Sequence, residues 1–154
     1  MKKYIALLLT ALFLFAGGCA KNSAALKLDP SVAADRLLSS VQFKDQMSPA
    51  DSAMALQLYG LDQSAVSRAK VYESTGATAE EIAVFEAKDE TFLNRVKEGA
   101  QKRIEDQKAG FKDYQPKEME KLKNPVLVTA GNYVFLCVSD DNAKAQKVID
   151  EMIK

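Results

Sequence analysis

Apolar residues recur at helical spacing between residues 29 and 60, which predicts two short helices. Asp29-Pro30 opens the first helix, because an aspartate can cap free N–H groups and proline suits the first helical position. One face of this helix carries Val32, Ala33, Leu37 and Val41. Ser48–Asp51 opens the second helix in the same way, and Gly60 ends it as a left-handed residue.

The apolar period then shortens to two, which is typical of β-strands. The clearest alternation runs from Glu81 to Ala87, with Ile82 and Val84 on one side and Ala83 and Phe85 on the other. The same pattern predicts strands at 69–74, 126–129 and 133–139. Gly131-Asn132 lies between the last two strands and predicts a hairpin turn.

Helical spacing returns between residues 90 and 109 and predicts the longest helix, capped by Asp89. Gln107 falls in the apolar register of this helix, and Gly99 suggests a close approach to the sheet. The connector 110–124 holds one short helix after Pro116, and a last helix begins near Asp140.

This order predicts an α+β fold: a four-stranded antiparallel sheet made from two β-β-α units, with helices packed on one face and two short helices in front. Hairpins imply antiparallel pairing, and amphipathic helices bury their apolar stripe against a sheet. Residues 29–154 are expected to form a single domain.

The first twenty residues have a different character and predict a membrane-targeting segment. Lys2 and Lys3 precede the apolar run 5–16, and Gly17, Gly18 and Cys19 follow. A charged start, an apolar stretch and small residues make up a secretory signal. Twelve helical residues extend about 18 Å, too short for a hydrocarbon core of about 30 Å.

Ala16-Gly17-Gly18-Cys19 resembles the lipobox of bacterial lipoproteins. The resemblance implies cleavage between Gly18 and Cys19 and a diacylglyceryl group on the Cys19 sulfur. Two acyl chains hold a protein stably at a membrane, whereas one chain holds it marginally. We therefore expect a signal peptide over 1–18, a lipidated Cys19 with a tether to residue 28, and a location on the outer face of the cell membrane.

Composition narrows the function classes. Without Lys2 and Lys3, 19 basic and 21 acidic residues remain, a balance of −2 that gives no electrostatic case for nucleic acid. The chain has no histidine, the side chain best suited to proton transfer near neutral pH and the commonest metal ligand. We expect no ordinary hydrolase, no metal and no cofactor.

Several residues carry alternative interpretations. Cys137 is a candidate reactive thiol, but its apolar strand favours a buried, inert cysteine. The oxygen-rich run Ser139–Asn142 fits helix capping better than calcium. Glu80 and Glu81 would point to opposite faces of a strand, which favours solvated edge positions over a shared glycosidase site.

The connector is basic and is expected to be solvated, with anionic wall polymer or lipid headgroups as the alternative partner. Its cations are Lys112, Lys117, Lys121 and Lys123. Thr75–Thr78 has one glycine and no suitably placed lysine, so a phosphate loop is not expected there.

Several segments, taken in order, resemble the bacterial lipoprotein family called domain of unknown function 4358. They are Ser74–Ala77, Glu81–Phe85, Asp113–Pro116, Gly131–Val134 and Val138–Asp140. The resemblance runs roughly from Val32 to the C-terminus. It implies an α+β lipoprotein outside the cytoplasmic membrane and brings no activity with it.

These observations predict a lipid-anchored binding or accessory module at the cell envelope. Its partner would be an envelope protein or a wall polymer. The alternatives are a carrier for a small ligand, or an enzyme with an unrecognised site that involves Cys137.

Overall fold

The computed structural model describes residues 26–154, which form five helices and five strands. Cys19, Gly18 and the rest of the signal segment lie outside the described residues. The helices are α1 (Pro30–Ser40), α2 (Ser52–Leu58), α3 (Glu90–Tyr114), α4 (Met119–Lys123) and α5 (Asn142–Met152). The strands are β1 (Ser48–Pro49), β2 (Val66–Glu73), β3 (Glu81–Ala87), β4 (Val126–Ala130) and β5 (Tyr133–Val138).

All five strands form one antiparallel sheet in the order β1-β2-β3-β5-β4. The two β-β-α units are confirmed as β2-β3-α3 and β4-β5-α5, and their central strands β3 and β5 pair with each other. The expected strand number of four was wrong by one. The added strand is β1, whose two residues pair with Tyr72 and Glu73. Two residues that include a proline carry no alternation by which a strand could be recognised.

Helices cover both faces of the sheet, so the expectation of helices on one face was also wrong. Helices α1 and α5 pack on the side of Ile82 and Val84. Helices α2, α3 and α4 pack on the side of Ala83, Phe85 and Leu136. Both sides of β3 and β5 are apolar, and a strand that is apolar on both sides needs cover on both.

Aspartates begin four of the five helices. Asp29, Asp51, Asp89 and Asp141 each accept a hydrogen bond from a backbone N–H in the first turn of α1, α2, α3 and α5. The caps Asp29 and Asp89 are the ones that the sequence predicts, whereas α2 was expected to open at Ser48 and is capped by Asp51 instead, because Ser48 and Pro49 pair as β1. Each cap satisfies N–H groups without an intrahelical partner. Val32, assigned to the apolar face of α1, is 67% exposed instead.

Two glycines determine how α3 packs against the end of α2. Gly60 has a φ of +62° and ends α2, as predicted. Gly99 brings α3 against the backbone that follows α2: a β-carbon at Gly99 would lie 2.6 Å from the Tyr59 carbonyl oxygen. The close approach is therefore to this segment and not to the sheet. It holds Tyr59 beside the middle of α3.

The described chain begins at one end of the sheet. Leu28 N–H and C=O both bond to the Tyr133 hydroxyl, and Leu26 lies beside the β4–β5 turn at Gly131. Both leucines, assigned to the tether by sequence, pack against the core that α1 and α5 cover. Glu81, at the start of β3, lies at the other end of the sheet. The six residue steps of β3 separate the two ends by about 20 Å. None of the helices within residues 26–154 is long and apolar enough to cross a membrane.

Candidate functional site

A buried carboxylate lies at the start of β3, where Glu81 is 1% exposed. Arg103 binds it with two groups, Nε at 3.0 Å and Nη2 at 2.6 Å from Oε2. Gln107 Nε2 donates to the same oxygen at 2.8 Å, and the Tyr59 hydroxyl donates to Oε1. Two side chains of α3 and one from the residue that follows α2 thus satisfy a single carboxylate.

Local structure explains why these groups meet. Residues four apart on a helix lie on one face, so Arg103 and Gln107 project together from α3. Glu81 points to the same side of the sheet as Ala83 and Phe85, the side that α3 covers. The contact of α3 at Gly99 supplies Tyr59 as the fourth member.

Glu80 forms a second, separate cluster. Its carboxylate accepts hydrogen bonds from Lys121 Nζ at 3.0 Å and from the backbone N–H groups of Lys44 and Asp45 at 2.9 Å. Lys121 also contacts Glu118 at 2.9 Å. Burial alone would lower the pKa of Lys121, but its bonds to Glu118 and Glu80 raise it above the usual value. Lys121 therefore stays charged as a buried counter-ion.

A cavity of about 230 Å³ opens beside the Glu81 cluster, between the β2–β3 loop and α3. Its lining residues include the acidic Glu73, Glu81 and Asp106, the guanidinium of Arg103 and the aromatic ring of Phe111, whereas the carboxylate of Glu80 is 0% exposed and turned to Lys121. The lining residues are Glu73, Ser74, Gly76, Thr78, Glu80, Glu81, Arg103, Asp106, Gln107, Gly110 and Phe111. The cavity is therefore a concave, polar site. It lies at one end of the sheet, and Leu26 lies at the opposite end.

Negative charge is only partly compensated around this cavity. Glu73 shares Arg103 with Glu81, but its Oε1 is 3.2 Å from Arg103 Nη2 and has the weaker contact. Burial raises the pKa of Glu73, and the charge of Glu81 raises it further. Burial and the same carboxylate raise the pKa of Tyr59 well above its usual value.

One polar atom at the site has no partner. Gln107 is 7% exposed, and its Oε1 is buried without a hydrogen bond from any described residue. Its Nε2 faces two acceptors, Glu81 Oε2 at 2.8 Å and the Ala79 carbonyl at 3.4 Å. Exchanging the amide oxygen and nitrogen would set oxygen against both, so the neighbours fix this orientation. A buried acceptor without a donor costs about 1–3 kcal/mol.

Residues 39–139 match the family model described as Domain of unknown function (DUF4358). The chain belongs to this family. The match includes β1 to β5 and the whole cavity, and its bounds lie inside those of the resemblance found in the sequence. No curated protein and no solved structure matches the chain.

Glu80 and Glu81 do not occupy the solvated edge positions expected for them, because both side chains of this DUF4358 domain are buried. They do turn to different partners, Lys121 and Arg103, as expected for adjacent residues of a strand. Charged neighbours usually indicate solvent. The signal that pointed to burial was Gln107, a polar residue in the apolar register of α3.

The thiol of Cys137 is fully buried in β5, opposite Ile82 of β3. Burial raises its pKa to about 12, and the nearby Ser139 lowers it only in part. Thiolate is the nucleophilic form of cysteine, so this site matches the inert interpretation of Cys137.

The run Ser139–Asn142 caps helix α5. Asp141 accepts from Lys144 N–H at 2.9 Å, and Asn142 accepts from Ser139 N–H at 3.0 Å. Asp140 takes no part in this cap and instead forms a salt bridge with Lys44 Nζ at 2.6 Å. Within residues 26–154, no group of three acidic, cysteine or histidine side chains is placed to hold a metal.

The basic connector is divided by the fold. Lys121 is 4% exposed, so the expectation of a solvated stretch was wrong at this residue. Lys112, Lys117 and Lys123 are exposed, as expected. The Thr75–Thr78 loop forms part of the cavity rim, and Thr75 N–H bonds to Asp45 Oδ2 at 3.0 Å.

Proposed function

We propose that this DUF4358 member is a lipid-anchored module on the outer face of the cell membrane that binds an envelope component at the Glu81 cavity. The charged, apolar and small residues that precede Cys19 support the proposed anchor, because this order is that of a secretory signal. A diacylglyceryl group on Cys19 would supply the two acyl chains that stable attachment needs.

The observation that carries the proposal is the position of the cavity. The described chain starts beside Gly131 at one end of the sheet, and Glu81 begins β3 at the other end, about 20 Å away. An anchor joined through Leu26 would leave the cavity end free for ligands. The concave, polar wall with its uncompensated charge suits a small polar group.

The alternatives receive less support. A carrier of apolar ligands needs a deep apolar pocket, whereas this cavity is lined by carboxyl groups and a guanidinium. An enzyme that uses Cys137 as nucleophile needs an accessible thiolate, whereas this thiol is buried and its pKa is raised.

Mass spectrometry of the full chain, purified from bacterial membranes, tests the anchor. We expect the mature chain to begin at Cys19 and to carry a diacylglyceryl thioether. Cys19→Ala should leave the signal uncleaved and the lipid absent. Cys137→Ala is the matched control, because it removes the other cysteine and should change neither. An unmodified Cys19 in the native product would contradict the anchor.

Photo-crosslinking in intact cells tests the binding role. Asp106 lines the cavity, whereas its neighbour Glu105 points away into solvent with 69% of its side chain exposed. A photo-reactive residue at position 106 should capture envelope material that the same residue at 105 does not. Equal capture at both positions would place binding outside the cavity.

A further inference from the structure

We draw no further inference here: the strongest candidate, the groove of about 510 Å³ that runs along β2 from Val66 to Ala69 between the starts of α1 and α2, carries none, because its cation Arg68 is already bound to Asp29 and Glu86 and nothing within residues 26–154 shows what would fill it.

Discussion

Replacing Glu81 by methionine should destabilise the domain more than most single substitutions. The change leaves Arg103, the Tyr59 hydroxyl and Gln107 Nε2 without their shared acceptor. Breaking a buried ion pair from one side costs about 3–5 kcal/mol. Arg103 keeps 18% exposure and its contact to Glu73, so we expect the lower end of this range.

The matching double variant separates the network from general damage to the core. Arg103→Met alone removes the cation but leaves Glu81 with two donors. In the Glu81→Met/Arg103→Met double variant neither charge is left unpaired, so its loss of stability should fall short of the sum of the single losses by about 1.5 kcal/mol or more. Near-ultraviolet circular dichroism during thermal unfolding of the full chain in a mild detergent measures each variant.

The expected effect is large enough to measure. A domain of this size loses about 4 °C in Tm for each kcal/mol, so Glu81→Met should lower Tm by about 12 °C. The double variant should recover part of that loss relative to the sum of the singles. Strict additivity of the two single effects would refute the reasoning, because it would mean that Glu81 and Arg103 do not interact.

Three further predictions follow from particular contacts. Gly99→Ala should destabilise the domain by about 1 kcal/mol or more, because its β-carbon would lie 2.6 Å from the Tyr59 carbonyl oxygen and this clash outweighs the gain in helix propensity. Gly110→Ala has nothing within 4 Å of its β-carbon and should instead stabilise α3 by about 0.5–1 kcal/mol. Equal unfolding midpoints of the two variants would contradict both predictions. The raised pKa of Glu73 means that its carboxyl group binds a proton more tightly in the folded state than in the unfolded state. Lowering the pH from 7 towards 4.5 should therefore make the contribution of Glu73 to folding more favourable. The difference in unfolding free energy between wild type and Glu73→Gln should change with pH in that window, and a constant difference would refute the assignment. Cys137 should resist alkylation in the folded chain at pH 8 and react only after unfolding, because its thiol is buried and its pKa is raised to about 12. Rapid labelling without loss of structure would contradict this prediction, because it would mean that strand β5 is open.

Local patterns predicted much of the fold because local physics determines those parts. Strand β3 has the bounds that its alternation indicated, and α3 begins where Asp89 caps it. The turn at Gly131 has a φ of +54° that glycine adopts at little cost. Such features depend on neighbouring residues and are legible in a single sequence.

Other features depend on distant residues and were missed. Strand β1 exists because Ser48 and Pro49 lie against the end of β2. The two-sided cover of the sheet was implicit in β3, where both alternating sets are apolar, but the sequence does not say which helix crosses to which side. Pairing and layer assignment are tertiary choices, made when the elements pack.

The candidate site was missed for the same reason. Glu80 and Glu81 look like solvated residues beside a turn, and only Arg103 and Gln107, more than twenty positions away, make the burial of Glu81 possible. A polar residue in an otherwise apolar helical register needs a buried partner, so Gln107 indicated that a polar group would meet α3. It did not indicate which one.

The energetics of this cluster favour a role in binding over a role in holding the fold together. A set of apolar side chains of similar volume usually stabilises a core as well as a buried ion pair does, and often better. The Glu81 cluster is moreover incomplete: Glu73 has a raised pKa beside it, and Gln107 Oε1 has no donor among the described residues. A network that served stability alone would be relieved by replacing Glu73 with a neutral residue and by filling the space next to Gln107. Both defects lie at residues that line the same cavity, and local conflicts of this kind are expected at functional sites rather than in a core built for stability.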